Sequence, residues 1–175
     1  MILETSRLYL RCLTVDDFDA LHAILSDPVA MQYYPAPYDR AGTEDWIQRQ
    51  LERYARDGHG LWAMMLKDSD QFVGQCGVLE QDVEGRIQTE IGYLVMRRFW
   101  RRGYASEAAI SCRDYGFQTL DRDSLISIIN PENLPSIGVA KKIGMTLRTD
   151  TVWQDHPVNV YAISRSEWRT ITGGR

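Results

Sequence analysis

Hydrophobic and polar positions alternate with two different periods in the first third of the chain. Residues 7–13 alternate apolar and polar side chains, which predicts a half-buried strand. Apolar residues then recur every three to four positions from Thr14 to Asp27 and from Thr43 to Asp57, which predicts two amphipathic helices. Tyr33 to Tyr38 contains prolines and cannot continue a helix. Its tyrosines either contact a substrate or cover the edge of the core.

The rest of the chain is mostly strand-like, with two helices inserted. Three apolar runs separated by polar turns predict consecutive antiparallel strands at residues 61–66, 71–79 and 87–96. A helix with one face of small residues follows, and the β-branched run Leu125–Ile129 predicts a strand parallel to the one before that helix. A short helix after Asn133 and a closing hairpin, Met145–Trp153 with Val158–Ser164, complete the pattern.

This order of elements predicts an α/β fold. The expected sheet is mixed and mostly antiparallel, is flanked by helices and contains a central strand–helix–strand unit. A length of 175 residues with 44% hydrophobic content suits a single domain over residues 1–175. Residues 172–175 predict a frayed C-terminal end.

Composition argues against several classes of partner. A formal net charge of −4 gives no basic footprint for nucleic acid, and no apolar run is long enough to span a membrane. The three cysteines and three histidines lack the spacing of metal ligands, and the odd cysteine number without a CxxC pair favours a reducing cytoplasm. We therefore expect no metal, no nucleic acid and no membrane partner, and either a monomer or a homodimer.

The most informative stretch runs from Glu90 to Ala108, where an apolar strand leads into a basic turn and then the helix of small residues. Four arginines surround Phe99 and Trp100 in the turn. The first N–H groups of a helix lack partners within it, and the helix dipole adds partial positive charge there. Gly103 allows the backbone to approach a ligand closely. A phosphate is the expected ligand, and a solvated basic loop is the alternative.

The sequence WRRGYASEA in this stretch resembles motif A of the GNAT superfamily of acyl-CoA N-acyltransferases. Gly103 and Ala105 match the motif, and Trp100 replaces the usual Arg or Gln, as is typical of the branch that resembles the ribosomal-protein N-acetyltransferases RimJ and RimL. The resemblance extends over nearly the whole chain and implies the GNAT fold, with acetyl-CoA as co-substrate and no metal. It assigns CoA binding to Leu94, Val95, Met96, Arg101, Arg102, Gly103, Tyr104, Ala105 and Ser106, including unpaired backbone groups near Val95.

A second segment resembles motif B of the same branch, N-x-x-N-x-x-S followed by a helix. Asn130, Asn133 and Ser136 match it, and Met145 stands where phenylalanine is usual. Taken alone, these asparagines are ordinary turn and cap residues. The resemblance implies that Asn133, with Asn130 close by, supports the pantetheine arm of CoA between the two parallel strands, where open α/β sheets bind ligands. Lys142 either reaches a coenzyme phosphate or is solvated.

Attack of an amine on a thioester needs a base, an oxyanion donor and a proton donor for the leaving thiolate. The resemblance implies Glu90 as the base, directly or through water, and a backbone N–H near Val95 as the oxyanion donor. Many GNAT enzymes use a tyrosine as the proton donor, but Ala140 occupies that position, and Ser136 matches the serine of the RimJ/RimL-like branch. The alternative for Glu90 is a strand-edge residue paired with an arginine.

The acceptor is specified less well than the donor. An α-amine has a pKa of about 8 and a lysine side chain about 10.4, so one carboxylate base favours a protein N-terminal α-amine or a small-molecule amine. The sequence thus predicts acetyl transfer from acetyl-CoA to a primary amine by direct attack in a ternary complex. A non-catalytic acyl-CoA-binding or regulatory module is the alternative, and a nucleotide-binding protein without CoA is a third class.

Overall fold

One mixed sheet organises the protein. The computed structural model describes residues 1–173. The sheet has eight strands in the order β1-β2-β3-β4-β5-β6-β8-β7. The strands are β1 (Leu3–Glu4), β2 (Leu8–Cys12), β3 (Leu61–Leu66), β4 (Phe72–Val83), β5 (Arg86–Val95), β6 (Ser124–Ile129), β7 (Thr146–Trp153) and β8 (His156–Ser164). Neighbouring strands are antiparallel except β5 and β6, which are parallel. The predicted mixed, mostly antiparallel α/β fold is confirmed.

Five α-helices lie beside this sheet within residues 1–173. They are α1 (Phe18–Leu25), α2 (Arg40–Asp57), α3 (Tyr104–Gln118), α4 (Leu134–Lys142) and α5 (Arg165–Thr172). A 3-10 turn leads into α1, and Thr14 and Asp17 form a capping box at its start. α3 connects β5 to β6 and forms the predicted strand–helix–strand unit.

The two faces of the sheet pack against different helices. Because side chains alternate along a strand, Ile91 and Val95 of β5 point to one face and Leu94 to the other. Ile91 and Val95 share a buried cluster with Ala108 and Cys112 of α3. Leu94 instead packs against the cluster that holds Ile47 of α2. Glu90 has the same parity as Leu94 and therefore lies on the α2 face.

A gap opens between the two parallel strands. β5 and β6 are in register at a single pair, Glu90 with Ile126, although both strands continue beyond it. Past this pair, the Ser127 hydroxyl donates to the Ile91 carbonyl at 2.8 Å. Toward their C-terminal ends the strands lose direct pairing, which leaves room between them for an extended ligand.

Several predicted boundaries were wrong. α2 begins at Arg40 rather than Thr43, because the Asp39 side chain caps it by accepting from the Gly42 N–H at 2.8 Å. β4 continues to Val83, because its polar residues pair with β5 through the whole hairpin. β1 and α5 were not predicted at all. Of the frayed end predicted for residues 172–175, Thr172 is instead the last residue of α5 and Gly173 is its C-cap, while residues 174 and 175 lie outside the described residues.

Candidate active site

The turn before α3 forms a backbone cradle. Gly103 is the N-cap of α3 with φ 81°, and Arg101 has φ 60°. Within residues 1–173, no side chain accepts a hydrogen bond from the amides of Tyr104, Ala105 or Ser106. Free amides at the positive end of a 15-residue helix suit an anion such as phosphate. A Cβ on Gly103 would lie 3.4 Å from the guanidinium of Arg7.

Arg7, which is distant in the sequence, fixes the shape of this cradle. Its guanidinium donates to the Arg102 carbonyl at 3.0 Å and forms an ion pair of 2.6 Å with Glu107 in the first turn of α3. Desolvation raises the pKa of Glu107, but hydrogen bonds from Thr5 and Arg7 outweigh it, so that the pKa lies below its usual range. Sequence reasoning missed Arg7, because no local pattern links it to a helix about one hundred residues away.

The arginines of the turn lie against aromatic and acidic neighbours. Arg98 and Arg102 stack on the Phe99 ring at 4.8 and 5.6 Å from its centroid. Arg97 pairs with Asp27 at 3.1 Å, and Arg101 is exposed. Stacking on Phe99 orders two guanidinium groups while leaving their N–H groups at the surface, so the rim of the cradle is positively charged.

The backbone groups expected to be unpaired near Val95 are partly engaged. The Trp100 indole N–H donates to the Val95 carbonyl at 2.7 Å, and the Met96 N–H donates to the Val73 carbonyl at 2.9 Å. Met96 therefore has no free N–H for a ligand. A carbonyl has a second lone pair, so Val95 can still accept one further hydrogen bond.

The second motif lies across the gap, at the start of α4. Asn133 is its N-cap, and its side-chain oxygen accepts from the Ser136 N–H at 3.1 Å. The Asn130 side chain accepts from the Glu132 N–H at 2.9 Å. Among the described residues, the side-chain NH₂ of Asn133 donates to no protein group. Lys142 is exposed in the last turn of α4.

Ser136 forms a pair with Tyr93 of β5. The Ser136 hydroxyl donates to the Tyr93 oxygen at 3.1 Å, and the Tyr93 hydroxyl donates to the Ser136 carbonyl at 2.9 Å. Desolvation raises the pKa of Tyr93. The pair bridges the gap on the α3 face of the sheet. Sequence reasoning did not select Tyr93, since its place in an apolar strand predicts only core packing.

Glu90 lies on the other face, where β5 and β6 meet. Its carboxylate accepts from the Gln81 side chain at 2.9 Å and from the Ile128 N–H at 3.4 Å. Desolvation raises the pKa of this half-buried residue, although both hydrogen bonds and the charge of Arg53 oppose the shift. Within residues 1–173, no arginine or lysine forms an ion pair with Glu90. A carboxylate with a raised pKa beside a cleft is a stronger base than an ordinary glutamate.

Two further side chains reach the surroundings of Glu90. Tyr34, from the segment before α2, is 38% exposed, and desolvation together with the charge of Glu90 raises its pKa. Arg53 of α2 is half-buried and interacts electrostatically with Glu90. Within the Tyr33–Tyr38 segment, Tyr34 thus lies near Glu90, whereas Tyr38 packs against the buried cluster that holds Ile47.

Residues 1–173 contain no group of three or more histidine, cysteine, aspartate or glutamate side chains placed to hold a metal ion. No helix in the same range has the length and apolar character needed to cross a membrane.

Comparison with known proteins identifies the class that this fold and gap define. Residues 7–146 match the family model described as the acetyltransferase (GNAT) domain. The chain is 38% identical to the uncharacterized protein YkkB of Bacillus subtilis over 161 residues, which cover 91% of this chain and 93% of YkkB. It is 30% identical to the uncharacterized N-acetyltransferase YnaD of the same organism, over 96% of this chain and 99% of YnaD.

A solved structure is similar over the same span. The crystal structure of the acetyltransferase from Agrobacterium tumefaciens is 31% identical, with a TM-score of 0.82, and the match covers 93% of this chain and 94% of that chain. The chain therefore belongs to the GNAT acetyltransferase family, and it is an acetyl-CoA-dependent N-acetyltransferase.

Proposed function

We propose that this protein acetylates a primary amine, which Glu90 deprotonates, while Ser136 assists the departing thiolate. The main observation behind this proposal is the position of Glu90. It lies at the single point of contact between β5 and β6, where the gap begins, and its pKa is raised by desolvation. A base in this position can act on an amine that approaches from the α2 face.

CoA fits the residues on the other side of this gap. The free amides of Tyr104, Ala105 and Ser106 would hold the pyrophosphate, with Arg101 and Arg102 adding positive charge. Gly103 supports this assignment, because its φ of 81° suits glycine and a side chain would approach Arg7. The pantetheine arm would lie between the strands near Leu94, Val95 and Met96. The free NH₂ of Asn133, next to Asn130, is placed to donate to it, and Lys142 stays a candidate for a coenzyme phosphate.

The proton transfers can be assigned to two faces of the sheet. On the α2 face, Glu90 takes a proton from the amine, directly or through water. On the α3 face, the Ser136 hydroxyl would turn from Tyr93 toward the sulfur and donate its hydrogen bond there. Tyr93 keeps its own proton because its pKa is raised. Transfer then occurs by direct attack in a ternary complex, with a backbone N–H near Val95 as the proposed oxyanion donor.

The acceptor can be a protein N-terminal α-amine or a small-molecule amine. Two solved structures share the fold: spermidine N-acetyltransferase from Vibrio cholerae in complex with CoA and spermine, at 16% identity and a TM-score of 0.76, and RimL, a ribosomal L7/L12 alpha-N-protein acetyltransferase in complex with coenzyme A, at 18% and 0.77. The fold therefore accommodates both kinds of amine. Trp100 and the Asn130–Ser136 segment support the RimJ/RimL-like branch.

The test combines binding with turnover. Calorimetric titration with acetyl-CoA, CoA and ATP should give selective binding of the two CoA species. Release of free thiol from acetyl-CoA should then depend on an added amine. Equal binding of ATP, or thiol release that no amine stimulates in a panel of peptides, polyamines and amino acids, would contradict the proposal.

A further inference from the structure

Arg53 is a guanidinium without a partner at the edge of the cleft. It is half-buried, yet among residues 1–173 no carboxylate or carbonyl oxygen lies within hydrogen-bond or ion-pair distance of it. Neighbouring arginines of α2 differ in this respect: Arg56 forms an ion pair of 2.6 Å with Asp57, and Arg49 stacks on Trp46 at 5.7 Å. The Arg53 nitrogens are not among the buried atoms without a partner, so solvent reaches them and a ligand can reach them as well.

The register of α2 on the sheet places Arg53 beside Glu90. The Trp46 indole N–H donates to the Gln75 side chain of β4 at 3.1 Å. Arg53 lies seven residues later, two helical turns or about 10 Å along the same face. From Gln75, a comparable distance of about 13 Å along β4 leads to Leu79, which pairs with Glu90. The Gln50 side chain accepts from the Leu61 N–H at 3.0 Å, and Leu61 pairs with Gly77, so α2 follows β4 in the same direction. Arg53 and Glu90 therefore lie at a similar level along β4.

Electrostatics agrees with this placement. Desolvation and the charge of Arg49 lower the pKa of Arg53, while the charge of Glu90 opposes that shift. The same Arg53 charge acts in the opposite direction on the carboxyl of Glu90. Within residues 1–173, no hydrogen bond or ion pair joins the two groups, so this part of the cleft holds a positive and a negative group that are not paired with each other.

We propose that Arg53 binds a carboxylate that the acceptor carries next to its amine, so that the acceptor is a small α-amino acid. This inference rests on the proposed function, since it uses Glu90 as the group that faces the amine. An arginine can hold a carboxylate through two parallel hydrogen bonds, which fixes the orientation of the neighbouring amine. Tyr34, exposed beside Glu90, would contact the remainder of the amino acid.

The three kinds of amine differ in the charge that they offer to Arg53. The α-carboxyl group of the first residue of a protein is an amide, so it offers Arg53 no negative charge. A polyamine is cationic throughout and is repelled by Arg53. A free amino acid has its amine and carboxylate on one carbon and matches both charges of the cleft.

The experiment compares acceptors that share a side chain and differ in whether they carry the α-carboxylate that Arg53 would bind. The holoenzyme with saturating acetyl-CoA is assayed with L-alanine, L-leucine, L-glutamate and L-lysine, and with the primary α-amide of each. We expect kcat/KM for at least one amino acid to exceed that for its amide by about 10- to 100-fold, the contribution of a charge-assisted hydrogen bond. Arg53→Gln should abolish this ratio by raising the KM for the acid, with little change for the amide.

The control is Arg56→Gln, which removes an exposed arginine of the same helix that is already paired with Asp57 and should keep the wild-type ratio. A wild-type ratio of one or below for every pair, or equal loss with both members of a pair in Arg53→Gln, overturns the inference. Transfer to spermidine or to a peptide N-terminus but to no amino acid also overturns it and leaves the proposed function intact. If no amine of any kind is acetylated although acetyl-CoA binds, the proposed function itself fails.

Discussion

The proposed CoA cradle and the proposed acceptor cleft are built in different ways. The cradle consists of a short continuous segment, Arg101 to Ser106, which Arg7 and Glu107 hold from outside it. The cleft combines Tyr34 before α2, Arg53 in α2, Glu90 in β5 and the Ile128 N–H of β6. Binding of a phosphate needs local backbone geometry, which one segment can supply. Recognition of an acceptor needs side chains at chosen positions in space.

This difference predicts separable effects of substitutions in the two regions. Changes in the cradle should alter the affinity for CoA and leave the acceptor preference unchanged. Changes in the cleft should alter turnover or the acceptor KM and leave CoA binding unchanged.

Glu90→Gln is expected to have the largest effect and to impair catalysis in the cleft without affecting CoA binding. Removal of a general base should lower kcat with the amine by about 10²- to 10⁴-fold, while the calorimetric Kd for CoA stays at the wild-type value. The control is Glu44→Gln on the exposed surface of α2. Loss of CoA binding in Glu90→Gln would show that the two regions are not separable.

Gly103→Val should weaken CoA binding by the cradle and leave the acceptor preference unchanged. Valine at φ 81° is strained by about 1–3 kcal/mol, which corresponds to roughly 5- to 150-fold weaker CoA binding if the strain is released by distortion of the turn. Gly85→Val is the matched control, because Gly85 has φ 75° in the β4–β5 turn and nothing within 4 Å of a Cβ. Both variants should lose stability, but an equal loss of CoA affinity in Gly85→Val would argue against a specific role of the cradle.

Ser136→Ala should give a smaller effect. If the Ser136 hydroxyl only assists the thiolate, kcat should fall by about tenfold, in the range of one lost hydrogen bond, with both substrate affinities preserved. Alanine suits a helix, and the cap on α4 comes from Asn133, so the fold should persist. Tyr93→Phe keeps the serine hydroxyl and serves as the comparison. A serine variant with full kcat would remove Ser136 from the mechanism.

The smallest expected effect concerns stability and pH. Because desolvation raises the pKa of Glu90 above its unfolded value, ionisation of Glu90 is less favourable in the folded state. The free energy of unfolding of the wild type therefore falls as the pH rises from the unfolded-state pKa of Glu90 through its folded-state pKa. Glu90→Gln should have a higher Tm than the wild type at about pH 8 and no advantage at about pH 4, below the ordinary glutamate pKa. A lower Tm of the variant at both pH values would contradict the raised pKa.

Much of the fold was predictable because periodicity reports which faces are buried. β3 was predicted at its observed bounds, and the small residues Ala108, Ala109 and Cys112 of α3 are fully buried as expected. The C-terminal helix α5 was missed, although Ser164 and Glu167 form a capping box that its sequence contains. α5 follows β8 directly, so no turn residue in the sequence marks the boundary between the strand and the helix.

The C-terminal segment carries three aromatic residues whose sequence positions suit either a dimer surface or the core: Trp153, Tyr161 and Trp168. Tyr161 and Trp168 are 5% and 4% exposed, so they belong to the core, whereas Trp153 is half-buried and donates from its indole N–H to the Asp82 carbonyl at 2.9 Å. Burial of this kind depends on which elements meet across the sheet. The prediction of one domain over residues 1–175 and the choice between monomer and homodimer stay predictions.

The sequence by itself determined the family, the strand–turn–helix that forms the cradle and the residue types of the two motifs. All three depend on neighbours within a few positions, where backbone geometry and helix ends are set locally. Only the tertiary structure decided that Arg7 supports the cradle, that Tyr93 is the partner of Ser136, and that Arg53 and Tyr34 lie near enough to Glu90 for its charge to shift their pKa values. These contacts join residues that are tens of positions apart, because packing of helices on both faces of a sheet brings distant segments together, and no local pattern encodes that approach.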